Sequence, residues 1–212
     1  MASGQKLTQN INVLVVHNYY NSKITGGEDV AVDRDVNALQ RTQGIRVFRY
    51  SAHNDSINFI SYLLNSFFSI YHFNRIYRLI KKEKIDIVHI HNFFPLLSCS
   101  IFFAAKLAGS KIILTLHNYR LWCLSATFSR ENDNNCLVCP KRGSTWTGVK
   151  KKCFKKSYIQ SLLVFLNFKL YRFLNMDRYV DKFQVLSKHQ LSLVKKLGIP
   201  EKRLSLLGHH LD

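Results

Sequence analysis

The stretch 111–118, K-I-I-L-T-L-H-N, constrains this chain more than any other. Ile112, Ile113, Leu114 and Leu116 make a short, nearly continuous apolar run. Such a run suits a strand covered on both faces, as in a parallel sheet, although periodicity alone also fits a buried helix segment. Runs of similar shape at 11–16, 45–50 and 85–90 favour the sheet. The run stops abruptly on two polar residues, His117 and Asn118. In open α/β sheets the carboxyl ends of the strands are where ligands bind.

The pattern recurs. I-N-V-L-V-V at 11–16 leads into His17-Asn18-Tyr19-Tyr20, and I-D-I-V-H-I at 85–90 leads into His91-Asn92-Phe93-Phe94. Three predicted strands thus end on His17, His91 and His117, each followed by asparagine. One such histidine is usually structural; three at one predicted edge mark a polar cleft. A metal site is disfavoured, because the three lie on different strands with no carboxylate pattern beside them.

Helical spacing fills the gaps. Val32, Val36 and Leu39 predict a helix over 29–42, Ile60 to Tyr71 predict one over 57–82, and Pro95 opens one that Gly109 stops. Core packing is the first reading of the 57–82 aromatic stripe, with an interfacial face as the sharper alternative. Later come a helix at 158–174, a strand at 181–186, Ser187, a helix at 188–197 and a short strand at 203–207. Strands alternating with helices predict an α/β fold: a mostly parallel, doubly wound, Rossmann-like sheet with helices on both faces. Between the first strand and helix lies Thr25-Gly26-Gly27-Glu28-Asp29. Two glycines allow a sharp turn and a close approach, and a helix N-terminus offers free N–H groups to a phosphate. An ordinary strand-to-helix loop is the bland alternative, since no Walker A or G-x-G-x-x-G pattern is present.

The charge is lopsided. Lys plus Arg exceed Asp plus Glu by 31 − 13 = 18 in 212 residues. That excess points to an anionic partner: nucleic acid, an anionic membrane surface or a phosphorylated ligand. Nine of the cations lie between Asn134 and Met176, where no acidic residue occurs. They include Lys150, Lys151, Lys152, Lys155 and Lys156, directly before the apolar helix with Leu162, Leu166 and Phe173. An anionic membrane surface and a plain solvated basic face are both open readings. Residues 1–10 are polar and read as a flexible tail rather than a signal peptide. No uninterrupted run of about 18 apolar residues occurs, so no transmembrane helix is expected and the five cysteines belong in a reducing cytosol.

Residues 119–156 form an irregular Cys- and Lys-rich insertion holding Cys123, Cys136, Cys139 and Cys153. Four thiolates at these spacings can hold zinc tetrahedrally and staple a segment that lacks its own core. Free thiols and adventitious disulfides are the alternatives, since only one C-x-x-C pair is present. Cys99 reads as a small core hydrophobe within a helix.

Taken together, G-G-E-D-V-A-V-D-R-D-V-N-A-L (26–39), D-I-V-H-I-H-N-F-F-P-L-L-S (86–98) and I-L-T-L-H-N-Y-R (113–120) resemble the N-terminal domain of family 4 glycosyltransferases of the GT-B fold. The four-cysteine segment and V-L-S-K-H-Q (185–190) extend the resemblance, which runs from residue 11 to the end. The resemblance implies one GT-B half-domain, over 11–212, of a retaining enzyme whose two domains face each other across a cleft. It implies that this half binds a glycan or lipid-linked acceptor in cell-surface polysaccharide synthesis. The nucleotide-sugar donor would be held by a C-terminal domain or partner chain that these residues do not include, so the chain alone is expected to be inactive. Gly26, Gly27 and Glu28 match the glycine loop near the donor phosphates, and His117 matches the histidine that contacts the transferred sugar. His17, His91, Asn92, Asn118 and Ser187 complete the expected donor- and acceptor-binding edge. No cofactor is implied for catalysis. Asp33-Arg34-Asp35 looks like a metal-binding D-x-D but falls on a helix, where a solvated face is expected. The implied location is cytoplasmic, with the inner face of the plasma membrane as a peripheral surface. The competing class is a basic module without catalysis that binds nucleic acid or an anionic membrane. Nucleic acid is disfavoured because the aromatics sit in apolar stripes rather than among the basic residues.

Overall fold

The computed structural model describes residues 10–20, 26–55, 59–130 and 136–207. Residues 1–9 of the tail expected over 1–10, Thr25, the start of the 57–82 segment and residues 208–212 lie outside them.

β1 (Ile11–Tyr19) buries Val13, Leu14, Val15 and Val16 in succession, so both its faces are covered. That is why the sequence here runs apolar instead of alternating. In α1 (Gly27–Arg41), Val32 and Val36 sit one turn apart and pack on Val13 and Val15. Each such side chain withdrawn from water stabilises the fold by about 1.5–3 kcal/mol. α1 begins two residues before the expected start. Asp29 Oδ2 accepts the Gly26 N–H at 3.0 Å and satisfies a donor that the helix end leaves open. Gly44, at φ +80°, turns the chain into β2 (Ile45–His53).

The single helix expected over 57–82 is two, α2 (Phe59–Phe67) and α3 (Ile70–Glu83). Ser69 divides them. Its hydroxyl accepts the His72 N–H at 3.3 Å and caps α3, while its own N–H donates to Ser98 Oγ at 3.0 Å. The apolar stripe is also divided: Ile76 and Ile80 are buried, whereas Ile70 and Tyr71 are exposed. β3 (Ile87–Asn92) is followed by turns, not by a helix at Pro95. α4 (Ser100–Ala108) starts only after Cys99. That thiol sits at the cap position, buried, and donates to the Phe67 carbonyl at 3.1 Å. Burial raises its pKa to about 11, which keeps it protonated. β4 (Lys111–Leu116) has the expected bounds.

β1 pairs in parallel with β2 and with β3, and β3 pairs in parallel with β4. The order within the first unit is β2-β1-β3-β4, and in the second unit β5 (Lys182–Val185) and β6 (Leu204–Leu206) form a further parallel pair. The α/β, mostly parallel, doubly wound expectation holds. Chain order reverses between β1 and β3, so crossovers lead away from that point in opposite directions. Right-handed crossovers that run in opposite directions lie on opposite faces. α1 therefore covers one face, and α3 and α4, packed on each other, cover the other.

The chain divides into two compact units, Met1–Thr115 with Tyr179–Asp181, and Leu116–Arg178 with Lys182–Asp212. The second holds α5 (Val138–Lys141), α6 (Trp146–Lys150), α7 (Tyr158–Phe173) and α8 (Lys188–Lys196). Apart from α5, α6 and an isolated bridge at Arg130, the described part of the 119–156 segment is turns, bends and irregular chain. Val164, Phe168 and Tyr171 line the buried side of α7, and the Tyr171 hydroxyl donates to Asp177 Oδ1 at 2.9 Å. Gly148 in α6 packs so closely on Leu124 that a Cβ there would lie 2.9 Å from its Cδ1.

Candidate functional site

The reversal between β1 and β3 is a topological switch point, where open α/β sheets leave a crevice at the carboxyl ends of the strands. In the first unit, polar side chains gather there. His17, near the end of β1, is buried, and its Nε2 lies 2.7 Å from Asp29 Oδ1. Ionised carboxylate oxygens only accept, so Nε2 carries the proton. Burial lowers the His17 pKa, with the Asp29 hydrogen bond opposing, so the ring is neutral at pH 7. Its other nitrogen, Nδ1, is then a buried lone pair, and it has no hydrogen-bond partner.

Around this pair runs a second set of contacts. The Tyr20 hydroxyl donates to Glu28 Oε2 at 3.0 Å, and Asn92 Nδ2 reaches the same oxygen at 3.5 Å. Asn92 Nδ2 also donates to the Asn18 carbonyl at 3.2 Å, and its Oδ1 accepts the Phe94 N–H at 3.0 Å. Asn18 is fully buried; its amide donates to Asn54 Oδ1 at 3.0 Å and accepts from the Leu96 N–H at 3.2 Å. His91 is buried with its ring 6.4 Å from that of His17 and 4.1 Å from that of His89. His89 Nε2 lies 2.7 Å from Thr115 Oγ1. The network combines carboxylates, amides and imidazoles, a donor and acceptor set suited to hydroxyl groups.

The glycines act differently from the sharp turn expected of them. Gly26 has φ −79°, a backbone that any residue adopts, and Gly27 is the first residue of α1. What Gly26 supplies is room: a Cβ there would meet the Tyr20 ring at 3.1 Å, while one at Gly27 would meet open space. Asp33 is exposed and ion-paired with Arg49.

Of the expected site residues, the first unit brings together His17, Gly26, Gly27, Glu28, His91 and Asn92. The second unit carries the others. His117 is half-buried, following β4, and Asn118 Oδ1 accepts the Arg120 N–H at 3.0 Å. Ser187 caps α8, its hydroxyl accepting the Gln190 N–H at 3.1 Å. Gln190 is buried and joins two strand ends, donating to the Leu116 carbonyl at 2.6 Å and accepting from the Leu186 N–H at 2.7 Å. Asp29, His89 and Gln190 take part in these hydrogen bonds without having been singled out in the sequence, where Asn18 stood only as the residue after His17. Asp29 had a signal, a carboxylate three residues after Gly26 at a helix start, as in a capping box.

The four cysteines of the second unit converge. Burial raises the Cys139 pKa, and the nearby Cys123, Cys153 and Cys136 push it the same way. Cys153 is raised likewise. All are free thiols, and the Gly148 N–H points to the Cys139 sulfur. Among the described residues no three His, Cys, Asp or Glu side chains stand in an arrangement that would hold a metal ion. The thiols are thus the right donors near one another, but not a finished ligand set.

A family model described as Glycosyltransferase Family 4 matches residues 30–209. The chain belongs to that family. No curated protein matches it. Among solved structures, the MnaA–UDP complex of S. aureus is similar with a TM-score of 0.52 at 12% identity, over 93% of this chain and 44% of that one. The UDP-GlcNAc 2-epimerase of Methanocaldococcus jannaschii gives 0.48 at 13% identity, over 93% and 45%. The lipopolysaccharide outer core galactosyltransferase WaaB gives 0.46 at 13%, over 92% and 44%. At such identities the likeness to MnaA shows the fold alone. The chain spans less than half the length of these proteins.

Proposed function

We propose that the chain is the acceptor-side half of a retaining glycosyltransferase. The reaction moves a sugar from a nucleotide-sugar donor to a glycan or lipid-linked acceptor in cell-surface polysaccharide synthesis, at the cytoplasmic face of the membrane. The observation that carries this is the family match over 30–209. The polar network at the switch point supports it. Sugars present many hydroxyls, and Glu28, Asn92 and the Asp29-held His17 offer fixed partners for them. Such groups accelerate transfer by positioning and by charge placed in advance. The first turn of α1 carries Glu28 and Asp29, which disfavours a bare phosphate at that helix end. In this reading Gly26, Gly27 and Glu28 form the loop beside the donor that the resemblance implies, Gly26 making room for the Tyr20 ring, and basic groups for the donor phosphates come from the donor-binding half. Within the second unit, His117 takes the sugar-contacting role that the resemblance implies, with Asn118 beside it in the chain and Ser187 capping α8. No cofactor takes part in catalysis. A structural zinc ion at Cys123, Cys136, Cys139 and Cys153 belongs to the proposal, supported by the convergence of the thiols.

Transfer of radiolabelled sugar tests the reading. The chain alone is expected to transfer none, and the chain joined to a donor-binding half is expected to be active. In the joined enzyme His117→Ala lowers turnover about 100-fold or more while the unfolding temperature barely moves. Full activity of the isolated chain, or a folded His117→Ala enzyme with an unchanged rate, contradicts it.

A further inference from the structure

α7 is apolar on two opposite sides. Ser161, Val164, Phe168 and Tyr171 are buried. On the other side Tyr158, Leu162, Leu166 and Phe173 follow one another at spacings of four, four and seven residues, with Ile159 alongside. These are in solvent: Phe173 is 84% exposed, Ile159 66% and Tyr158 54%. A soluble helix normally turns polar residues outward, and a second apolar side calls for a covering surface.

The charge around this side says what covers it. Lys150, Lys151, Lys152, Lys155 and Lys156 lead directly into α7, and all are exposed. Lys152 Nζ lies 4.6 Å from the Tyr158 ring centre, so the basic cluster and the apolar stripe meet at one place. Lys169 adds a cation within the stripe, 5.9 Å from the Phe165 ring. Arg172 does not contribute, because its guanidinium is turned to the Leu121 carbonyl at 2.5 Å. No acidic residue occurs from 134 to 176 to neutralise the cluster. Among the described residues no helix is long and apolar enough to cross a membrane.

We propose that this side of α7 with the 150–156 lysines is a docking surface for an anionic phospholipid bilayer. α7 lies flat in the interface: Phe173, Ile159, Leu162 and Leu166 enter the acyl boundary, and the lysines stay at the level of the headgroups. Tyr158 takes the interfacial position usual for that ring, with an apolar body and a polar tip. A second copy of this chain carries the same positive charge, which opposes pairing through this side. The inference does not depend on glycosyl transfer.

The test is co-sedimentation of the full chain with vesicles of phosphatidylcholine alone and with about one-third phosphatidylglycerol. Binding is expected to the anionic vesicles only, weakening as salt rises. Phe173→Ser lowers it about tenfold. Lys151→Glu with Lys152→Glu lowers it at least about 25-fold, each lysine near such a surface being worth about fivefold. All these positions are exposed, so unfolding temperatures should match the parent, and Val30→Ser, an exposed apolar residue of the first unit, should bind as the parent does. Four results overturn the proposal. The first is no binding to anionic vesicles. The second is binding that Phe173→Ser leaves unchanged, which leaves a plain basic face. The third is a dimer in solution that Leu166→Ser dissociates, which assigns the stripe to a second copy. The fourth is duplex DNA held more tightly than vesicles with no effect of Phe173→Ser, which assigns the lysines to nucleic acid.

Discussion

The β1/β3 end of the first unit and the 119–156 segment of the second place their polar chemistry in opposite ways. At the first, His17, Asn18, His91 and Asn92 stand on strands, and Asp29 on the helix that follows. Strand pairing fixes their backbones, and the hydrogen bonds among their side chains fix the rest. At the second, one thiol, Cys139, lies on the short helix α5 and the other three hang on turns and irregular chain. There Ala126, Phe128, Lys152, Lys155 and Lys156 all hold positive φ without being glycine. Such residues cost on the order of 1 kcal/mol each and persist only where their surroundings hold them. A segment of this kind needs an outside tie; the strand-borne site does not.

Removing the centre of the strand-borne site gives the largest effect. Asp29→Ala leaves the His17 Nε2–H buried and unpaired, and it opens the Gly26 N–H at the start of α1. The expected cost is about 3 kcal/mol, from an unsatisfied buried donor plus a lost cap. Denaturant unfolding measures it. A loss under about 1 kcal/mol would mean that the pair does not organise this end.

The second unit should respond to a metal instead. Purified protein is expected to carry about one zinc ion, with sulfur ligands near 2.3 Å. A chelator should then open the 119–156 segment to protease while the first unit stays protected. Elemental analysis without zinc, together with freely reactive thiols in the folded chain, would remove the tie and leave the segment held by packing alone.

The smallest effect, since His72 is only half-buried and water screens its charge, is a pH dependence that it carries in the first unit. Burial, with the nearby Arg75 charge, lowers the His72 pKa to about 4, and its Nδ1 lies 2.7 Å from the Tyr50 hydroxyl. Tyr50 is itself raised to about 12, mainly by burial, so it stays a donor. The unfolded chain takes up the proton near pH 6.5 and the folded chain near 4. Stability is therefore full above about 6.5 and is lost as pH falls towards 4. His72→Gln should flatten that fall, as read from unfolding temperatures across the window. An unchanged slope would assign it to other groups.

The same contrast explains what could be read from the sequence. β1, β3 and β4 were legible because strands buried on both faces write continuous apolar runs, and β4 has the expected bounds at both ends. The histidine–asparagine endings were legible for the same reason, since each follows such a run. The break at Ser69 was not, because the partner that holds its N–H, Ser98, is 29 residues away. The burial and partners of Asp29 and Asn18 were not legible, because local spacing does not show that a side chain is held against a partner 12 or 78 residues off. The late start of α4 had no signal either: Pro95 suits a first helical turn, yet tertiary contacts place turns there.

The central claim is that the β1/β3 edge holds a substrate, and Glu28 tests it most directly. Its Oε2 accepts from Tyr20 and Asn92, and a glutamine keeps the shape and an acceptor oxygen while losing the charge. In the enzyme joined to its donor-binding half, Glu28→Gln is expected to lower sugar transfer about 100-fold while the unfolding temperature stays close to that of the parent. A folded Glu28→Gln enzyme that transfers sugar at the parent rate would contradict the account.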